Sequence, residues 1–172
     1  MTGRNIFNET RFITEDTRIQ KSKCVFISHK KEDADFCRAI ANYLMSEGID
    51  VYFDEYDKSI NLSKPETVVR SIERGLLASS YVLCVATANT FKSKWVPWEL
   101  GNGFSKRLPL YVLKSKNLPI TEKVPEYMCV ATYLTGWSDL KKIIDTLPNH
   151  RGLHESVRAF SSTHPLYGYI NF

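Results

Sequence analysis

CVFIS, Cys24–Ser28, breaks off into HKKEDAD, His29–Asp35, and this junction decides the fold. Five β-preferring residues without polar alternation read as a strand buried on both faces, ending in a polar loop. Asp33 or Asp35 then caps a helix running to about Glu47, with Phe36, Ile40, Tyr43 and Leu44 at i, i+4, i+7 and i+8. Gly48 closes it. Strand, polar loop and helix make one unit, and the chain repeats it.

IDVYFD, Ile49–Asp54, is the second strand, and the loop EYDKSINLSK follows. Ser63 and Glu66 have capping-box spacing, Pro65 suits a first turn, and Val69, Ile72 and Leu76 form the apolar stripe of a second helix. YVLCVAT, Tyr81–Thr87, is the third strand, Leu108–Lys114 the fourth and Val130–Leu134 the fifth, with an irregular Pro119–Cys129 before it. Ser138 caps a helix carrying Leu140, Ile143, Ile144 and Leu147 and stopped by Pro148; Leu153, Val157 and Phe160 suit one more short helix. The alternation predicts an α/β fold, flavodoxin-like and three-layered, with a five-stranded parallel sheet flanked by helices. Residues 1–22 read as a polar, mobile N-terminal extension on which Ile6, Phe7, Phe12 and Ile13 could dock. Residues 23–148 form the domain, and 149–172 a C-terminal extension packing on the domain or a neighbour.

Ligands of such sheets bind beyond the carboxyl ends of the strands. Ser28–Lys31, Asp54–Ile60 and Thr87–Glu99 therefore converge on one rim. The last leads into KSKWVPWELGNGF, Lys92–Phe104. Pro97 belongs in a first helical turn, so a helix starts near Trp95, with Ser93 or Lys94 as its cap. Trp95, Glu99 and Asn102 then share one stripe. Gly101 and Gly103 imply a short helix or a close neighbour. An aromatic face beside an acid suits a ligand site; a core tryptophan beside a first-turn acid that complements the helix dipole is the plainer reading.

With 172 residues, 43% hydrophobic and 24% charged, the chain is expected to be one soluble domain. The net charge of +4 is mild and its basic residues are scattered among acids, which argues against a nucleic-acid partner. No apolar run approaches the ~18 residues of a membrane span, and the N-terminal stretch lacks the apolar core of a signal peptide. Cys24, Cys37, Cys84 and Cys129 sit in apolar segments without metal-ligand spacing, which favours reduced, buried thiols in a cytoplasmic protein. His150, His154 and His164 show no metal spacing either.

VFISH at Val25–His29, GIDVYFD at Gly48–Asp54, SIERGLLASSYVLCVAT at Ser71–Thr87 and SKWVPWEL at Ser93–Leu100, in that order, resemble a Toll/interleukin-1 receptor (TIR) domain. The last is similar to the family's S-x-W-x-x-x-E-L element. The resemblance covers residues 23–147 and is closest in kind to stand-alone bacterial members of anti-phage defence (Thoeris-like). It implies an enzyme that cleaves NAD+ at the nicotinamide–ribose bond, a glycohydrolase or ADP-ribosyl cyclase, making an ADP-ribose-derived signal. By the same resemblance Glu99 is the catalytic residue, and Trp95, Ser28, His29, Lys30 and Tyr52 meet the substrate. NAD+ is then substrate rather than cofactor, and no metal is expected. A homo-oligomer through TIR–TIR contacts and an effector sensing the product are the implied partners. The family also contains non-catalytic adaptors that act by self-association, and this is the alternative. A nucleoside-transferring enzyme of similar shape ranks behind both, because Ser71–Thr87 matches TIR domains better.

Overall fold

The strand β1 (Cys24–Ser28) is buried along its whole length, as a strand between neighbours with helices on both faces must be. A computed structural model of the chain describes residues 2–6, 24–53, 64–119, 121–147 and 163–172. In it β1 lies between β2 (Asp50–Tyr52) and β3 (Tyr81–Ala86), and β4 (Leu110–Lys114) and β5 (Thr132–Leu134) extend the sheet beyond β3. Every pair is parallel, in the order β2-β1-β3-β4-β5. The expected α/β architecture is the one that forms, with strand ends trimmed: of the five expected β2 residues that are described, Asp50–Tyr52 form the strand.

Helices α1 (Ala34–Ser46), α2 (Pro65–Ala78), α3 (Val96–Ser105) and α4 (Trp137–Thr146) cover the sheet. Because successive strand residues face opposite ways, two cores form. Val25, Ile27, Leu83, Val85 and Leu113 pack with Ile40, Leu44, Leu140 and Ile144 of α1 and α4. Cys24, Phe26, Val82, Cys84 and Val112 pack with Ile72, Leu76, Val96 and Leu100 of α2 and α3. Ser28 continues the second set, so its side chain belongs to the α2/α3 face.

Two expected caps are not used. Asp33 closes a 3-10 turn (Lys31–Asp33) ahead of α1 and makes no side-chain cap there. Ser138 lies inside α4; Asp139 fastens that helix instead, accepting from the Thr135 amide at 3.0 Å and its hydroxyl at 2.8 Å. A five-residue 3-10 turn (Glu126–Val130) occupies the end of the irregular stretch, and Cys129 within it is exposed, whereas Cys24, Cys37 and Cys84 are buried. Ser63 of the expected capping box, Pro148 and the expected helix at Leu153–Phe160 lie outside the described residues, as do Phe7, Phe12 and Ile13.

Both ends of the chain pack on the sheet. Near the N-terminus, Gly3 donates to the Met45 carbonyl (2.7 Å), Val51 donates to the Arg4 carbonyl (2.9 Å), and Asn5 bridges Val51 in parallel. Ile6 is buried beside them, so this part of the expected mobile extension is docked. At the C-terminus, Leu166 and Ile170 enter the α1/α4 core, Tyr169 stacks on Phe36, and Phe172 stacks on Trp137. Gly136 permits this: a Cβ there would sit 2.4 Å from the Asn171 carbonyl oxygen.

Candidate active site

Helix α3 starts where Pro97 allows. After a 3-10 turn (Thr90–Lys92), the Ser93 hydroxyl accepts the Trp95 and Val96 amides at 3.2 and 3.3 Å, which satisfies two donors that a helix start leaves open. The Glu99 amide donates to the Trp95 carbonyl at 2.9 Å, so the two residues stand one turn apart on one side. Gly103 lets the helix lie close to the sheet, since a Cβ there would come within 2.9 Å of Leu110 and 3.1 Å of Val82. Gly101 faces open space, and ten residues of helix tolerate both glycines.

That close packing brings Glu99 over the carboxyl end of β1. The residue is 7% exposed, and the fully buried Ser28 hydroxyl donates to its Oε2 at 2.5 Å. A hydroxyl hydrogen bond to a carboxylate is stronger than one between neutral groups. Cys84, paired with Ser28 in the β1–β3 register, lies beside them and is also fully buried. Burial pushes its thiol well above the ordinary cysteine range; the charge of Glu99 adds to this, and the neighbouring Ser28 hydroxyl works against it. The site's floor is therefore a neutral thiol, a hydroxyl and one carboxylate, supplied by β3, β1 and α3.

The other expected site residues divide. Trp95 is half-buried, packed against the α2/α3 core, with its ring edge-on to Trp98 at 6.4 Å between centroids. His29 tilts against Phe53 at 4.8 Å, and its Nδ1 lies 3.2 Å from the Ile27 carbonyl oxygen. Lys30 points to Glu32 at 3.2 Å. Tyr52 does not join them: it stacks on Phe26, its hydroxyl donates to the Ser71 carbonyl at 3.1 Å, and 2% of it is exposed. Asp54–Ile60, expected on the same rim, lie outside the described residues.

A second polar cluster on the rim has no counterpart in the sequence reading. Asp33 Oδ2 accepts the Thr87 hydroxyl at 2.6 Å and Oδ1 accepts Asn89 Nδ2 at 2.9 Å, while the Thr90 hydroxyl donates to the Val85 carbonyl at 2.7 Å. The cluster borders an open cleft of ≈ 410 Å³ that also touches Ser115, Asn117 and Tyr169. Threonine and asparagine directly after a buried strand were the available signal. Among the described residues no three His, Cys, Asp or Glu side chains gather as a metal site, and no helix is long and apolar enough to cross a membrane.

The chain is 34% identical to NAD(+) hydrolase PdTIR of Paracoccus denitrificans over 101 residues, which is 54% of this chain and 32% of that protein. It is 26% identical over 158 residues to 2′ cyclic ADP-D-ribose synthase BtTIR of Bacteroides thetaiotaomicron, covering 86% of this chain and 52% of BtTIR. It thus spans about a third to a half of the length of these curated relatives. The crystal structure of the TIR domain of the Toll-related receptor TRR-2 from Hydra magnipapillata superposes with a TM-score of 0.51 at 17% identity, over 72% of this chain and 90% of that one, which is a likeness of fold. The family model described as TIR domain matches residues 25–134, from the second residue of β1 to the end of β5, and so takes in all five strands but for Cys24, together with the Ser28–Glu99 pair. The chain belongs to the TIR domain family.

Proposed function

We propose that the chain cleaves NAD+ at the nicotinamide–ribose bond, as a glycohydrolase or an ADP-ribosyl cyclase, with Glu99 as its catalytic carboxylate. The observation that carries the reading is a single buried carboxylate, held by Ser28, in the first turn of a helix at the carboxyl rim of a parallel sheet. The names of PdTIR and BtTIR favour the same chemistry.

One carboxylate is enough for this bond. Nicotinamide leaves as a neutral base from a pyridinium, so no acid is needed to protonate it, unlike the sugar oxygens for which glycosidases carry a second carboxyl group. The difficulty is the positive charge that grows on the ribose, and Glu99, itself buried, opposes it where little water screens the interaction. The first-turn position suits an anion. Trp95 offers a half-buried side chain for stacking on a flat ring, and His29 and Lys30, directly after β1, are the groups proposed to meet the rest of the nucleotide. Tyr52 has no part, because its hydroxyl is already engaged by Ser71. Water capturing the ribosyl cation gives ADP-ribose; a nucleophile of the same molecule gives a cyclic product.

The setting belongs to the same proposal: a cytoplasmic signalling enzyme of bacterial anti-phage immunity, assembled through TIR–TIR contacts, whose product a downstream effector senses. The test is to incubate the protein with NAD+ beside Glu99→Gln and resolve products by chromatography and mass spectrometry. Wild type is expected to release nicotinamide, and the variant to lose at least ~10²-fold in rate. No release at high protein concentration, with capture of other TIR domains surviving Glu99→Gln, would establish the adaptor instead.

A further inference from the structure

Ser28 was expected to touch the substrate, and its geometry argues for a different task. The side chain is 0% exposed, so a ligand arriving from solvent meets other groups first. A serine hydroxyl has one proton to give, and this one goes to Glu99 Oε2 at 2.5 Å. The two ends of that bond differ in stiffness. Ser28 closes β1 and its backbone is fixed by pairing with Cys84 of β3. The Glu99 carboxyl group hangs from three rotatable bonds on the first turn of α3, which alone would not select one orientation.

We propose that Ser28 is a positioning residue for Glu99, its hydroxyl fixing the carboxylate in one orientation before substrate arrives. The inference rests on the reading of Glu99 as the catalytic carboxylate and adds to it one group that orders that carboxylate. Cys84 serves the same end passively: a small, fully buried, neutral thiol fills the floor without bringing a second negative charge beside Glu99. A group that orients a catalytic residue and does not touch substrate acts on the chemical step, so its loss falls on kcat and leaves KM in place.

The experiment compares wild type, Ser28→Ala and Ser28→Thr in steady-state nicotinamide release, with crystal structures of wild type and Ser28→Ala. Misplacing a catalytic group by about 1 Å costs ~10²-fold; Ser28→Ala is expected to lose about that much in kcat at nearly constant KM. Ser28→Thr, which keeps the hydroxyl, is expected to recover most of the loss, and in the Ser28→Ala crystal the Glu99 carboxyl group is expected to move or to occupy several rotamers. A loss carried by KM, an unchanged kcat, or a Glu99 that keeps its orientation in the Ser28→Ala crystal overturns the proposal. A wild type that releases no nicotinamide counts against the catalytic reading of Glu99, while the pair of crystal structures decides separately whether Ser28 orders it.

Discussion

Asp33 and Thr87 are 54 residues apart in sequence and 2.6 Å apart on the carboxyl rim, the threonine hydroxyl donating to the aspartate. The same hydroxyl oxygen accepts the Asn89 and Thr90 amides at 3.1 and 3.0 Å. One side-chain pair thus ties the loop after β1 to the loop after β3, where the strand order reverses. Thr87→Val keeps the shape and removes the hydroxyl, leaving a part-buried carboxylate and two amides short of a partner. An unmade hydrogen bond of this kind costs about 1–3 kcal/mol, so the midpoint of thermal unfolding is expected to fall by several degrees. A melting curve identical to wild type would show that the network contributes nothing to stability.

Thiol titration separates the four cysteines. Burial raises the Cys24 thiol to about 12, against a smaller opposing effect of the Ser79 hydroxyl. Cys37 is likewise pushed far above the ordinary range, by burial first and by Asp33 second, and Cys84 by burial first. The reactive species is the thiolate and it must be reached, which leaves exposed Cys129. At about pH 8 the folded protein is expected to consume one equivalent of a disulfide reagent rapidly, and four after denaturation. Rapid reaction of a second thiol in the native state would contradict the burial of β1, α1 and β3.

The N-terminal stretch gives a prediction about the edge of the sheet. Asn5 treats Phe53 as a strand partner would: its Nδ2 donates to the Phe53 carbonyl at 2.8 Å and its Oδ1 accepts the Phe53 amide at 3.2 Å. Phe53 in turn packs against His29, so the docked segment supports one wall of the rim. Asn5→Ala is expected to cost about 1–2 kcal/mol and to speed hydrogen exchange at the Phe53 amide, while amides in α4 keep their rates. Exchange at Phe53 that does not change on substitution would mean the pairing is not maintained in solution.

Sequence reading reached the architecture because it rests on period and order, and both are local: buried runs at Cys24–Ser28 and Tyr81–Ala86, amphipathic stretches between them, and Pro97 fixing where α3 starts. It also brought the end of β1 and the start of α3 to one rim, where Ser28 and Glu99 meet, since the loops after β1 and β3 converge by topology; the roles of the two residues rested on the resemblance to TIR domains. It missed where competition between partners decides. Asp33 reads as a helix cap, yet its carboxylate is taken by Thr87 and Asn89 from another loop. Tyr52 enters the site only through the resemblance to TIR domains, and strand alternation turns it toward α2. There Gly75 leaves the space its ring fills, a Cβ at that glycine lying 2.4 Å from Tyr52 Cε1. Cys84 reads as one more core residue until the β1–β3 register sets it beside Ser28.

The Thr135–Asp139 clamp predicts a pH dependence with a definite sign. Its carboxyl group is held below the ordinary value of 3.8, chiefly by the Thr135 amide, then by the Thr135 hydroxyl, with burial working weakly the other way and Lys142 adding a smaller pull. A carboxylate depressed in the folded state contributes stability that is complete above its unfolded value and disappears as pH falls through the folded one. Removing a side chain that satisfies a helix start costs about 1 kcal/mol, which corresponds to a few degrees in a chain of this length. Asp139→Ala is therefore expected to melt a few degrees below wild type at about pH 7. The gap is expected to narrow once the pH drops below about 3.8, where protonation weakens the clamp in the wild type itself. A gap that stays constant down to pH ~3 would mean that the carboxylate's charge is not what fastens α4, and that Thr135 holds the helix through the neutral acid equally well.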